Sequence, residues 1–458
     1  MNVKLYRAMR HLLWLTIIAP ANSIGAQVPA TTSRQPVVTA IPKTSAGEAL
    51  QTWLDAFNSG DTARLGAYSR RFQPDMTVED EVGFREQTGG FDLLGIERSE
   101  ARHLEFTVRE RKSPMVAYGV IDVSATDPVR VTQRELQAIG PNASTAALHI
   151  DAAARARAIA GTAALLDTFY VFPDAAKKMG DSLRARLARG EYDSSTNGLM
   201  FAMRLNDDLA GIAHDKHLRV NYSARPLPAE KPRPAGAPEP RPSPEDVARE
   251  RDFLTGMNCG FVKAEVLQGN VGYLKFNMFA DPDICGPTAS AAMTFLANAR
   301  ALIIDLRDNG GGNPAMVAFV SSYLFDRRTH LNDLWTRRTN STKEFWTRAM
   351  VLGRRFGGTK PVYVLTSART FSGAEEFTYN LKNLKRATIV GETTGGGAHP
   401  VNGHRIDEHF MIGVPFARAV NPITHTNWEG VGVKPDVAVP AKDALATAQK
   451  IFREKPPK

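Results

Sequence analysis

PVYVLTSARTFSGAEEFTYNLKNLKRATIVGETTGGGAHP, residues 361–400, carries the reading of the fold. Val362–Leu365 is a short, unbroken apolar run, as expected of a strand buried on both faces. The polar turn TSARTFSG follows, and from Ala374 to Leu384 apolar residues recur at helical spacing. Ser372 therefore stands where a strand hands over to a helix, with Gly373 beside it. A serine here can simply cap the helix. It can also serve as a nucleophile, because the turn exposes its oxygen and free N–H groups at the helix start stabilise negative charge.

Working outward, the apolar runs VGYLKFNMF, ALIIDL, PVYVLT and ATIVGE alternate with helical stretches at Thr288–Asn298, Pro314–Leu324 and Gly373–Leu384. Such alternation predicts an α/β domain with a largely parallel sheet, assigned to 246–445. Before it, RPLPAEKPRPAGAPEPRPSP makes 223–245 a proline-rich linker. Residues 145–222 are helical in composition, with breaks at Pro173 and Gly190. Residues 46–138 hold two short helices around an Asn-Ser-Gly-Asp break and then the strands HLEFTVRER and MVAYGVIDVSA. This pattern predicts a small α+β domain and resembles the NTF2-like cone fold. Residues 27–45 read as a flexible tether.

Residues 1–26 have the layout of a secretory signal: Lys4, Arg7 and Arg10, then LLWLTIIA, then Ile24-Gly25-Ala26. Export to the periplasm or outside the cell is expected, and the apolar run is too short for a stable membrane anchor. Losing the segment takes three basic residues from the net charge of +9 and leaves +6, with no basic cluster interleaved with aromatics to suggest nucleic acid. Cys259 and Cys285 flank two strand-like runs. A hairpin could join them in an oxidising compartment, or they could be two buried free thiols.

A serine nucleophile needs a base, and four further motifs could complete a site. AHDKHLRV holds His217. ALIIDLRDNGGG ends a strand in three glycines that let backbone amides approach a ligand, with Asp305 and Arg307 pinning the turn. GETTGGGAHP is a second glycine-rich approach and holds His399. TNWEGVGVKPDV places Glu429 in a turn before a strand. Neither glycine run continues into the Lys-Ser/Thr of a phosphate loop, and the i, i+5 histidines of HRIDEH lack zinc spacing. No cofactor and no metal is expected.

Taken together and in order, YVFPDAAKKM, NDDLAGIAHDKHLRV, DLRDNGGG, TSARTFSGAEEF, VGETTGGGAHPVNGH and NWEGVGVKPDV resemble the S41 serine peptidases over about residues 150–440. The match is to the tail-specific and tricorn-core superfamily, in its interphotoreceptor retinoid-binding protein-like branch. The resemblance implies a ClpP/crotonase-like catalytic core preceded by a helical subdomain. Carried over, it makes Ser372 the nucleophile, His217 the general base and Glu429 the acidic residue near the site. It gives the oxyanion hole to the amide of Gly373 with that of Gly310 or Gly311. Three departures stand out. There is no Gly-Lys-Gly lysine after the nucleophile, and His399 near that position competes with His217 as base. There is no recognisable PDZ module. Lys216 replaces the serine that precedes the histidine in tricorn.

The expected function is an exported serine peptidase that hydrolyses peptides or unfolded proteins through an acyl-enzyme, with its oligomeric state open. A non-catalytic ligand- or peptide-binding protein on the same fold is the alternative. Thioester chemistry fits poorly with an exported chain.

Overall fold

The structure, a computed structural model, describes residues 40–229 and 243–454. The signal-like segment 1–26, most of the tether 27–45 and the centre of the 223–245 linker lie outside the described residues.

The first unit opens with α1 (Ser45–Ser59), α2 (Thr62–Phe72) and α3 (Val78–Thr88). Asp61 separates the first two because its carboxylate accepts the Ala63 and Arg64 N–H groups at the start of α2, just after Gly60 turns left-handed at φ 69°. The third helix escapes the sequence reading because its apolar residues line no single face. Four strands follow, β1 (Phe91–Ser99), β2 (His103–Glu110), β3 (Met115–Val123) and β4 (Val131–Pro141), in an antiparallel meander of order 1-2-3-4. One sheet face meets the helices around Trp53, Phe57, Tyr68 and Phe106. From the other, Val116, Tyr118 and Val120 pack against the next unit.

That unit comprises α4 (Ala152–Phe169), α5 (Pro173–Ala188), α6 (Gly198–Ala213) and β5 (Arg219–Tyr222). Pro173 occupies the first turn of α5, where its missing N–H costs nothing. The chain continues through α7 (Pro244–Gly256), β6 (Phe261–Leu267), β7 (Val271–Phe276), α8 (Pro282–Phe295), β8 (Ala301–Asp305), α9 (Pro314–Ser321), β9 (His330–Thr336) and β10 (Ser341–Trp346). It ends with β11 (Val362–Thr366), α10 (Gly373–Asn383), β12 (Thr388–Gly391), β13 (Val401–Arg405), β14 (Phe410–Pro415), β15 (Ala417–Val420), β16 (Val437–Ala438) and α11 (Ala444–Glu454).

The main sheet has six strands in the order β16-β12-β11-β8-β7-β6, parallel except for β6 at the edge. Every residue of β8 and of β11 is buried, which explains their unbroken apolar runs. Helix α8 starts at Pro282, six residues before the expected Thr288, because the Asp281 side chain caps it. Cys259, just before β6, and Cys285, in α8, form a disulfide with Cα atoms 5.6 Å apart. The free-thiol alternative is thereby set aside.

Two smaller sheets were not anticipated: β10-β9-β15 and β13-β14-β5. The second matters most for the site. Val220 of β5 pairs with Ile412 of β14, and Phe410, Ile412 and Val414 join the core of the helical unit. The residues just before β5, His217 among them, are thus carried to the turn that holds Phe371 and Ser372. Among the described residues no helix is long and apolar enough to cross a membrane.

Candidate active site

Ser372 caps α10 with φ 51° and ψ −120°, a strained conformation for a residue with a side chain. Neighbouring groups hold it there. Its N–H donates to Glu375 Oε2 at 2.9 Å, and the Phe371 N–H donates to the Asn309 carbonyl at 3.1 Å. Thr370 Oγ1 donates to the Leu306 carbonyl at 2.8 Å and Ser367 Oγ to that of Arg307 at 2.5 Å. The serine turn is therefore laced along the strand end that carries the first glycine run. That strand end is itself pinned as expected: Arg307 Nη2 lies 2.6 Å from Asp305 Oδ2, and the Tyr273 hydroxyl donates to the same oxygen at 2.6 Å.

In that run Gly311 and Gly312 have φ 104° and 135°. A Cβ on Gly311 would stand 2.6 Å from the Gly373 nitrogen and 2.7 Å from Ser372 Cβ, so only glycine lets the turn approach so closely. The expected oxyanion donors need correction. The Gly310 N–H donates to the Asn277 carbonyl at 3.3 Å, and the Gly311 N–H to Asn309 Oδ1 at 2.8 Å. Both amides are engaged in holding the turn. The Gly312 nitrogen lies 3.0 Å from where a Cβ on Gly373 would sit. The amides of Gly312 and Gly373 have no hydrogen-bond acceptor among the described residues. The left-handed turn at two successive glycines thus presents the third amide of the run to the helix start.

The second glycine run also packs on the serine turn, where the Gly395 N–H donates to the Thr370 carbonyl at 2.9 Å. The Gly396 and Gly397 N–H groups donate to Glu375 at 2.6 and 2.8 Å, and Thr394 Oγ1 donates at 2.5 Å. Burial pushes the Glu375 carboxyl up to about 7 in spite of these bonds. Gly397 leaves room for two rings at once. A Cβ there would stand 2.2 Å from Phe371 Cζ and 2.7 Å from His217 Cε1.

His217 is buried against Phe371, with ring centroids 4.7 Å apart, which puts it beside the residue preceding Ser372. Burial lowers its pKa to about 4, so the ring is neutral at pH 7. Its Nδ1 is enclosed without a partner, and no hydrogen bond joins it to Ser372 among the described residues. His399 is differently placed. Its Nδ1 contacts Asp215 Oδ2 at 2.7 Å and Glu429 Oε2 at 3.4 Å. Burial opposes its charging, yet the Asp215 bond and both carboxylates outweigh that and raise its pKa. Glu429 is pushed up to about 7 by burial and then by the charge of Asp215, and it accepts the Ala398 N–H at 2.5 Å.

Asp215, Glu375 and Gly312 were missed in the sequence. Asp215 binds the His217 N–H, His399 and the Tyr170 hydroxyl, and its only signal was its place in the Asp-Lys-His motif. One donor atom from each of Asp215, His217 and Glu429 lies within 4.8 Å of the others. Three histidines nearby in sequence stand apart from this group: His404 stacks on Phe169, His409 on Tyr222, and His425 is exposed.

Residues 270–439 match the model of peptidase family S41, and residues 143–253 match that of the N-terminal domain of this family in the eukaryotic interphotoreceptor retinoid-binding proteins. A protein named as a homologue of tricorn protease in Streptomyces coelicolor is 26% identical over 193 residues, covering 42% of this chain and 14% of that protein. The chloroplastic carboxyl-terminal-processing peptidase 2 of Arabidopsis thaliana is 26% identical over 171 residues, 37% of this chain and 32% of that protein. The chain therefore spans a third or less of these curated relatives. Among solved structures, the photosystem II D1 C-terminal processing protease aligns at 23% identity and TM-score 0.32 over 40% of this chain and 47% of its own. The tricorn protease aligns at 13% and 0.41, over 79% of this chain and 41% of its own. On the two family models, matched in chain order with the first running through the linker and the second following it, the chain belongs to peptidase family S41.

Proposed function

We propose that the protein is an exported serine peptidase that cleaves peptides or unfolded proteins through an acyl-enzyme on Ser372. One observation carries the reading: a strained serine at a helix start, between two unengaged amides and a buried neutral histidine. Ser372 Oγ attacks the peptide carbonyl while His217 takes its proton. The oxyanion sits on the amides of Gly312 and Gly373. The C–N bond then breaks, His217 returns the proton to the leaving amine, and water hydrolyses the ester by the reverse route. Asp215 and Glu429 supply the negative charge that stabilises the imidazolium. His217 is preferred to His399 as base because its ring packs on Phe371, the neighbour of Ser372.

The same reading includes a ClpP/crotonase-like core at 246–445, the helical subdomain at 145–222 and an NTF2-like domain at 46–138. The three helices laid on a four-stranded meander support the last. The disulfide supports an oxidising compartment and hence export.

Labelling of the purified protein with a fluorophosphonate probe tests the chemistry. A single adduct on Ser372, absent in Ser372→Ala and His217→Ala but retained in His399→Ala, is the expected result. Labelling should also persist well below pH 6, because the base stays neutral down to about 4. An adduct that survives in His217→Ala but not in His399→Ala moves the base. The missing Ser372–His217 hydrogen bond favours a second reading, a binding protein without turnover. Folded protein that takes no probe, even with peptide present, would establish that one instead.

A further inference from the structure

We propose that Asp215, His217 and Glu429 form a binding site for one zinc-class divalent cation, and that its occupancy silences Ser372. The second clause rests on the peptidase reading above; the first does not. One imidazole nitrogen and two carboxylate oxygens make a donor set suited to zinc. They come from two distant parts of the chain and lie within 4.8 Å of one another. Donors on a tetrahedral zinc stand about 3.5 Å apart, so closing the site takes side-chain shifts of about 1 Å.

The unsatisfied atoms point to a ligand independently of this spacing. His217 is 6% exposed, and its Nδ1 has no partner; Glu429 Oε1 is likewise enclosed and unpartnered. Enclosed polar atoms in a native fold are ordinarily satisfied, and a cation would satisfy both together. Outer contacts already orient the carboxylates. Tyr170 donates to Asp215 at 3.3 Å, His399 Nδ1 contacts the same oxygen at 2.7 Å, and the Ala398 N–H holds Glu429. The other buried cluster around the nucleophile, Glu375 with its donors, has no such vacant acceptor and no imidazole.

The consequence for catalysis follows from imidazole chemistry. A neutral ring has one lone pair. A cation on Nδ1 fixes the proton on Nε2, and no lone pair remains to receive the serine proton. Zinc would therefore act as a reversible brake rather than as a Lewis acid for the reaction.

Isothermal titration of the full mature chain with zinc chloride tests the site, in wild type and in Ser372→Ala. We expect one ion per chain in both. Binding should weaken at least about tenfold in Glu429→Gln and in Asp215→Asn, with circular dichroism confirming that the variants are folded. Anomalous scattering from zinc-soaked wild-type crystals locates the ion without any substitution. Zinc should abolish fluorophosphonate labelling of wild type at the same midpoint, and chelation should restore it. No stoichiometric binding, an ion located elsewhere, or binding indifferent to both substitutions overturns the proposal. Protein that binds zinc at these residues yet never labels on Ser372 retains the site and sinks the peptidase reading. Labelling blind to zinc, in protein that binds it, overturns the brake.

Discussion

The two glycine runs, Asn309–Asn313 and Gly395–Gly397, look alike as sequence and do different work. The first turns left-handed at Gly311 and Gly312, spends its leading amides on Asn277 and Asn309, and presses its backbone against Ser372 and Gly373. The second spends its amides on the Glu375 carboxylate and leaves the space that Phe371 and His217 fill. One run makes room for the Ser372 turn; the other makes room for the His217 ring. Three adjacent glycines thus signal close approach, and what approaches is decided elsewhere in the chain.

Alanine at each run should separate these roles. Gly311→Ala is the more damaging, since it combines a forbidding φ of 104° with contacts at 2.6–2.7 Å to the serine turn. We expect a loss of about 100-fold or more in labelling rate together with about 1–3 kcal/mol of stability, read by urea unfolding. Gly397→Ala carries no φ penalty but collides with the Phe371 and His217 rings. Its labelling should fall about 100-fold with a smaller loss of stability, and equal losses in both variants would erase the contrast.

Glu375→Gln asks whether the second run needs its carboxylate. Four donors converge there and an amide cannot accept from all of them, so we expect about 1–3 kcal/mol of destabilisation. An unchanged unfolding midpoint would show that the run holds itself. Glu376, the next residue, is a buried carboxyl with Oε1 unpartnered, and burial pushes it from 4.5 up to about 8. The folded state keeps a proton that the unfolded state releases, so this stability is fully present below pH 4.5 and is lost as pH rises through 8. Wild type should lose up to about 4 kcal/mol more than Glu376→Gln between pH 5 and pH 8.5. The smallest effect is expected at Asp80→Ala. Its exposed pair with Arg369 at 2.9 Å links the first domain to the serine turn, and its loss should cost under about 1 kcal/mol.

Much of the catalytic half was legible because buried parallel strands need unbroken apolar runs, and β8, β11 and β12 have them. Helix α10 began at Gly373, as its apolar spacing implied. Helix α3 was hidden because its apolar residues share no face. The β9–β10 hairpin was hidden because β9 mixes polar with apolar residues and β10 opens with four exposed polar residues, Ser341 to Glu344. The site divides in the same way. Ser372, His217, His399 and Glu429 stood in recognisable motifs, and the structure gathers them in one region. Gly312 was misjudged against Gly310 and Gly311 because a run of glycines does not say which amide its turn will leave unengaged.

The sequence by itself determined the alternation of strand and helix, the order of the motifs and hence the family. These follow from apolar periodicity and turn chemistry, which are local. Only the tertiary structure decided that β5 pairs with β14, bringing His217 from the helical unit to Phe371, and that Asp215 lies between two histidines. It also decided which charges are buried. Proton affinity and amide availability depend on what surrounds a group in space, and those neighbours lie far away along the chain.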